Sequence, residues 1–360
     1  MNVVPPWPGE KVSLDGTDTF VRYTPATAPR AEPALYVHGL GGSSMNCTDL
    51  AYLLSDRLDG EAIDLPGFGY SDPAHAYTVA AMAHRVIRWI EYSGRGPVHL
   101  FGNSMGGSVT IRVAATRPDL VRTLTLISPA MPFIDPRRSE QGRLVPFVFI
   151  PGVERLAVRR LAGIAPEVMA RQVIAAIFAQ PERLHEQRLR EAVEEIERRY
   201  EAPWYARAYL RSLRGMVLSF LRSYLPGSGS LWRIAARITA PTLVITGRQD
   251  RIIDVRVAPQ VARLIPDSRL LVLDQVGHVA QMEVPRSVAR AVLGLLDDAR
   301  QPRPAVPISP AVPIGPASSP VSPASSLVSP ASGPVSPIGG PVGPGSVSVG
   351  SAGSAEPRAA

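Results

Sequence analysis

Five consecutive residues, Gly102-Asn103-Ser104-Met105-Gly106, constrain this chain most. They join a short apolar run, Val98–Phe101, to a helical pattern over Gly107–Thr116. An apolar run of that length closed by glycine reads as a buried strand. To pass from a buried strand into a helix within five residues, the backbone must turn sharply and be approached closely, which Gly102 and Gly106 permit. Such a turn lifts the Ser104 side chain above the sheet edge. It also places the free N–H groups and positive dipole end of the next helix beside it. The motif therefore predicts an α/β protein with a strand-to-helix corner at Ser104.

The flanking segments agree. Ala34–His38, Glu61–Leu65 and Val121–Ile127 read as further strands, and Val79, Met82, Val86 and Ile90 give Tyr77–Gly94 a helical period that stops at Gly94. Strand and helix alternation predicts a mostly parallel sheet covered by helices on both faces. The alternation breaks over residues 131–235, where Pro166–Ala179, Pro181–Tyr200 and Pro203–Leu225 read as helices opened by proline. It resumes with a strand at Thr242–Thr246, a helix at Val255–Leu264, a strand at Arg269–Leu273 and a helix at Val284–Asp298. The expected organisation is an α/β domain over 1–130 and 236–300, a helical insertion at 131–235, and a tail from 301 to 360.

Composition sharpens this division. The tail holds 14 of the 37 prolines, with 13 serines, 8 glycines and no aromatic residue. It cannot bury enough apolar area to offset ordering, so disorder is expected there. The formal charge of the 360 residues is +7, and residues 131–235 carry +6 of it, from 17 arginines against 11 acidic residues. Four i,i+4 pairs, Glu167–Arg171, Glu186–Arg190, Glu194–Arg198 and Glu195–Arg199, favour a solvated helix surface as the place of that charge. The other reading, contact with an anionic membrane surface, rests on Leu144–Val153 between Arg143 and Arg155. Lys11 is the only lysine and no nucleic-acid reader motif is present, so no nucleic-acid partner is expected. Cys47 is the only cysteine, which excludes a disulfide framework and a cysteine metal site, and no metal is expected. The N-terminal residues lack the basic start and apolar run of a signal peptide, so a soluble cytoplasmic protein is the expectation.

A serine needs a base to act as a nucleophile. Catalytic groups in open parallel sheets gather at the C-terminal strand ends. His278 lies just past the strand Arg269–Leu273 and is the candidate base; His38, also at a strand end, reads as a residue shaping the turn with Gly39. His75, His84, His99 and His185 fall in a loop, a helix, a strand and the insertion. Asp250, directly after the strand Thr242–Thr246, is the candidate orienting carboxylate, with Asp254 behind it and Asp274 near His278. The N–H groups of Met105 and Leu40, the latter in the glycine-rich turn His38–Gly42, are the candidate oxyanion donors.

These stretches resemble the α/β-hydrolase fold family with a helical cap: HGLGG at 38–42, DLPGFGYSD at 64–72, GNSMGG at 102–107, GRQD at 247–250 and GHVAQMEVP at 277–285. The resemblance implies Ser-Asp-His catalysis through an acyl-enzyme, without cofactor, on a small-molecule acyl or ester substrate. Ser104 stands where epoxide hydrolases and haloalkane dehalogenases of this fold carry aspartate. GNSMGG is similar to the form in C–C bond hydrolases of ring meta-cleavage products, although Val279 departs from the aromatic residue usual after their histidine. Ester and monoglyceride hydrolases share SMGG. A carboxylic-ester hydrolase is the expected activity, with a C–C hydrolase or a non-catalytic ligand-binding protein of this fold as the alternatives.

Overall fold

In the computed structural model, described residues are 4–132, 149, 150, 152, 163–225 and 229–301. Eight strands among them form one sheet: β1 (Gly9–Leu14), β2 (Thr17–Thr24), β3 (Glu32–Val37), β4 (Leu58–Ile63), β5 (Val98–Asn103), β6 (Val121–Ile127), β7 (Thr242–Gly247) and β8 (Ser268–Leu273). Their order across the sheet is β1-β2-β4-β3-β5-β6-β7-β8. The pairs β1–β2 and β2–β4 are antiparallel and the rest are parallel. The expected mostly parallel sheet is present, and a hairpin ahead of Ala34 extends it. Asp15 and Gly16 make its turn, both at positive φ, 50° and 74°.

Alternation along the buried strands sends side chains to opposite faces. Leu35, Val37, Leu100, Leu124, Leu126 and Val244 join the core on one face; Ala34, Tyr36, Phe101, Ile127, Leu243 and Ile245 join that on the other. Helices α2 (Val79–Ser93) and α3 (Met105–Thr116) cover the first face, and α1 (Thr48–Leu53) covers the second. The period read from the sequence is the one buried: Val79, Met82, Val86 and Ile90 all lie in the α2 core stripe. Thr78 caps the helix by accepting the Ala81 N–H at 3.1 Å, and Gly94 ends it in a left-handed turn at φ 64°.

Between β6 and β7 the described residues hold no strand. They form α4 (Pro166–Ile177), α5 (Glu186–Glu201), α6 (Tyr205–Arg222) and the short α7 (Leu231–Ala235). After β7 come α8 (Val257–Leu264), α9 (Ala280–Glu283) and α10 (Pro285–Arg300). Most of Leu144–Val153 and all but the first residue of the tail lie outside the described residues. The buried stripe of α6 follows Leu213, Met216, Val217 and Phe220, and Leu221 beside it is 51% exposed. One reading of the insertion needs correction. The Glu195–Arg199 pair is not a solvated surface pair: Glu195 is buried and Arg199 half-buried, with side chains 7% and 14% exposed. Among the described residues no helix is long and apolar enough to cross a membrane.

Candidate active site

Register brings the strand ends level. Val37 pairs with Gly102, Asn103 with Ile127, Ile127 with Ile245, and Gly247 with Leu273. The segments that follow these ends therefore meet along one edge of the sheet.

Ser104 sits at that edge with φ 54° and ψ −119°, a left-handed conformation for a residue with a Cβ. A backbone of that kind costs on the order of 1–3 kcal/mol and persists only where its surroundings impose it. The Ser104 N–H donates to Ile127 O at 3.0 Å, and its carbonyl accepts from Ala130 at 2.9 Å and Gly107 at 2.9 Å. The glycines make room: a Cβ on Gly102 would meet Thr110 Oγ1 at 2.2 Å, and one on Gly106 would meet Val37 O at 2.3 Å and His38 O at 2.5 Å. Met105 opens α3, so its N–H lies in the first turn, where a helix offers no partner four residues back.

His38 and Gly39 shape the facing turn. The His38 Nδ1–H donates to Gly39 O at 2.7 Å, and Nε2 accepts the Leu65 N–H at 2.9 Å. Both ring nitrogens are thus occupied. Burial holds the imidazole below its ordinary pKa, in the neutral form these bonds require. A Cβ on Gly39 would stand 3.0 Å from Ser104 Cβ, so glycine lets the turn lie against the serine. Leu40 follows and lines the same cavity as Ser104.

His278 comes to this edge from the segment after β8. Its Nδ1–H donates to Asp250 Oδ2 at 2.9 Å, and the Asp250 side chain is fully buried. Asp250 Oδ1 accepts from Ile252 and Ile253 N–H at 2.8 and 2.9 Å. Of the three aspartates considered, Asp254 instead pairs with Arg256 at 2.5 Å, and Asp274 lies 3.4 Å from Arg248 with most of its side chain exposed. The remaining histidines lie elsewhere, His99 between Glu32 and Thr123 in the sheet and His185 at the start of α5.

One residue the motifs did not single out holds the histidine loop. The buried Glu283 carboxylate accepts the Gly277 N–H at 2.7 Å, the Gln180 N–H at 2.9 Å and the Ala179 N–H at 3.1 Å. It ties the residue before His278 to the segment after α4. Its signal was present, an acid within the stretch 277–285, but no spacing rule distinguishes it from a surface glutamate.

Ser104 and His278 line one cavity of about 140 Å³. Over them α4 supplies Ala170, Val173, Ile174 and Ile177, and α5 supplies Ala192, Glu195, Ile196 and Arg199. Each set follows an i, i+3, i+4, i+7 stripe, one helical face turned toward the serine.

A family model described as the alpha/beta hydrolase fold matches residues 33–285. The chain belongs to the alpha/beta hydrolase fold family. Among curated relatives of this hydrolase-fold chain, Lipase 3 of Moraxella sp. strain TA144 is 27% identical over 268 residues, covering 72% of this chain and 75% of that one. A 2-hydroxymuconate semialdehyde hydrolase of Pseudomonas putida is 29% identical over 279 residues, with 74% and 88% covered. The crystal structure of a membrane phospholipase A is similar at TM-score 0.65 and 26% identity, covering 82% of this chain and 87% of that one. The chain also matches 27% of the length of a dihydrolipoyllysine-residue acetyltransferase component of Cupriavidus necator, 39% identical over 100 residues. These likenesses support a hydrolase.

Proposed function

We propose that this protein is a serine hydrolase that cleaves a carboxylic ester through Ser104, His278 and Asp250. The observation that carries the reading is the cavity that Ser104 and His278 share, with the Nδ1–H of His278 bonded to a fully buried Asp250. That bond leaves His278 Nε2 as the free base. As Ser104 Oγ attacks the acyl carbon, Nε2 takes the hydroxyl proton. Asp250 holds the tautomer and stabilises the imidazolium. The carbonyl oxygen, now anionic, is held by the N–H groups of Leu40 and Met105. Collapse breaks the ester C–O bond, and the leaving alkoxide takes the proton from Nε2. Water then attacks the acyl-enzyme and gives a proton to Nε2; the bond from Ser104 Oγ to the acyl carbon breaks, Oγ takes that proton back, and the acid leaves.

The helices α4 and α5 over the serine act as the cap. Lipases among the relatives support ester chemistry, and the semialdehyde hydrolase among them keeps C–C cleavage as the rival. Rates on short p-nitrophenyl esters and on a dienoate ring-fission product, measured side by side, decide between them. The expected result is a clear preference for the ester and an initial burst of p-nitrophenol equal to the enzyme concentration. Ser104→Ala should lose on the order of 10⁶-fold in kcat. Full activity in that variant, or a strong preference for the dienoate, overturns the reading; a binding protein without turnover would give neither burst nor product.

A further inference from the structure

The cavity over Ser104 has two unlike walls. The α4 stripe is wholly apolar, whereas the α5 stripe carries an ion pair beside the turn Gly39–Gly42. Arg199 Nη2 donates to Glu195 Oε1 at 2.5 Å. Burial by itself would raise the Glu195 carboxyl, but the Arg199 guanidinium and the Ser43 hydroxyl outweigh it and hold the carboxylate ionised. The pair therefore keeps both charges and shows the cavity almost no net charge. Apolar side chains would fill this wall at less desolvation cost than two charges, as they do on α4. A guanidinium paired with a carboxylate in the wall of a substrate cavity suits a group that both accepts and donates.

We propose that the Glu195–Arg199 pair is a specificity-determining subsite that accepts a neutral, hydroxyl-bearing part of the substrate and rejects a free carboxylate. The inference rests on the ester-hydrolase reading of the same cavity. A hydroxyl at this wall accepts from the Arg199 guanidinium and donates to the Glu195 carboxylate. A carboxylate finds the guanidinium already neutralised and a like charge next to it. The apolar acyl chain lies along Ala170, Val173, Ile174 and Ile177. The favoured substrate class is thus an ester of an apolar acid with a polyol.

The test compares three butyrate esters that differ only in the alcohol: ethyl, 2,3-dihydroxypropyl and carboxymethyl butyrate, followed by acid release in a pH-stat. The wild-type enzyme is expected to prefer the dihydroxypropyl ester and to cleave the carboxymethyl ester at least tenfold less efficiently than the ethyl ester. Glu195→Gln, which unmasks Arg199, should raise the carboxymethyl-to-ethyl ratio of kcat/KM at least tenfold. Because a ratio within one variant is read, a loss of overall activity through repacking does not obscure it. A wild-type enzyme that cleaves the carboxymethyl ester as well as the ethyl ester, or a ratio unmoved in Glu195→Gln, overturns the proposal. If no ester is cleaved, calorimetry on Ser104→Ala protein separates the two readings. A tenfold binding preference for dihydroxypropyl over carboxymethyl butyrate then upholds the subsite without the reaction, and its absence overturns the subsite.

Discussion

Both carboxylate oxygens of Asp250 are engaged, one by two backbone N–H groups and the other by the His278 ring. Asn in its place keeps the shape but offers an amide donor to one side. The expected outcome for Asp250→Asn is a kcat lower by on the order of 10⁴-fold, the loss that follows when a base is held in the wrong tautomer, with KM little changed. Steady-state kinetics on a p-nitrophenyl ester checks this. Glu283 differs, since it touches neither Ser104 nor the His278 ring and acts through the Gly277 N–H. Gln there turns one acceptor into a donor facing backbone N–H groups. Glu283→Gln should lower unfolding free energy by about 1–3 kcal/mol in urea titrations and reduce kcat, because the loop holding His278 loosens.

At the level of elements, the corner between β5 and α3 depends on close backbone approach. Gly106→Ala forces a methyl into two carbonyl oxygens of β3 and the turn after it, at 2.3 and 2.5 Å. The expected cost is about 1–3 kcal/mol in urea, with hydrolase activity falling further as Ser104 shifts. This corner and the parallel strands were legible in the sequence because buried strands and glycine turns leave local marks. The β1–β2 hairpin was less so: β1 is mostly exposed and has no apolar run, and only Asp15-Gly16 marks it. Within α5 the spacing misled. An i,i+4 Glu–Arg pair reads the same whether its face meets water or a cavity, and which applied at Glu195–Arg199 depended on α5 lying over the turns that follow β3 and β5. Arg198 shows the same limit. Paired with Glu194 by spacing, it lies instead over the Tyr70 ring at 4.0 Å and donates to the Tyr70 hydroxyl at 2.8 Å. Arg198→Ala should therefore loosen α5 from the turn 64–72, seen as faster amide hydrogen exchange in α5.

For the whole molecule, His38 and His99 set a shared dependence on pH. Burial lowers the pKa of both in the fold, and for His99 the contact with Glu32 offsets part of the effect. The unfolded chain, with histidines near 6.5, binds more protons than the fold once pH drops below that value. Their contribution is thus present above about pH 6.5 and is lost as pH falls through the lowered folded values. Urea midpoints taken from pH 7.5 down to 5.5 should fall, and His99→Gln should flatten that fall. The sheet also spans the chain unevenly. Strand β6 ends at Ile127 and its parallel neighbour β7 begins at Thr242. On a ribosome adding 5–20 residues each second, β6 waits roughly 6–23 s for its partner. Through that interval its apolar edge stands open, and Ser104 has neither His278 nor Asp250 to meet. On the proposed mechanism, chemistry is gained only when the last quarter of the fold has been synthesised.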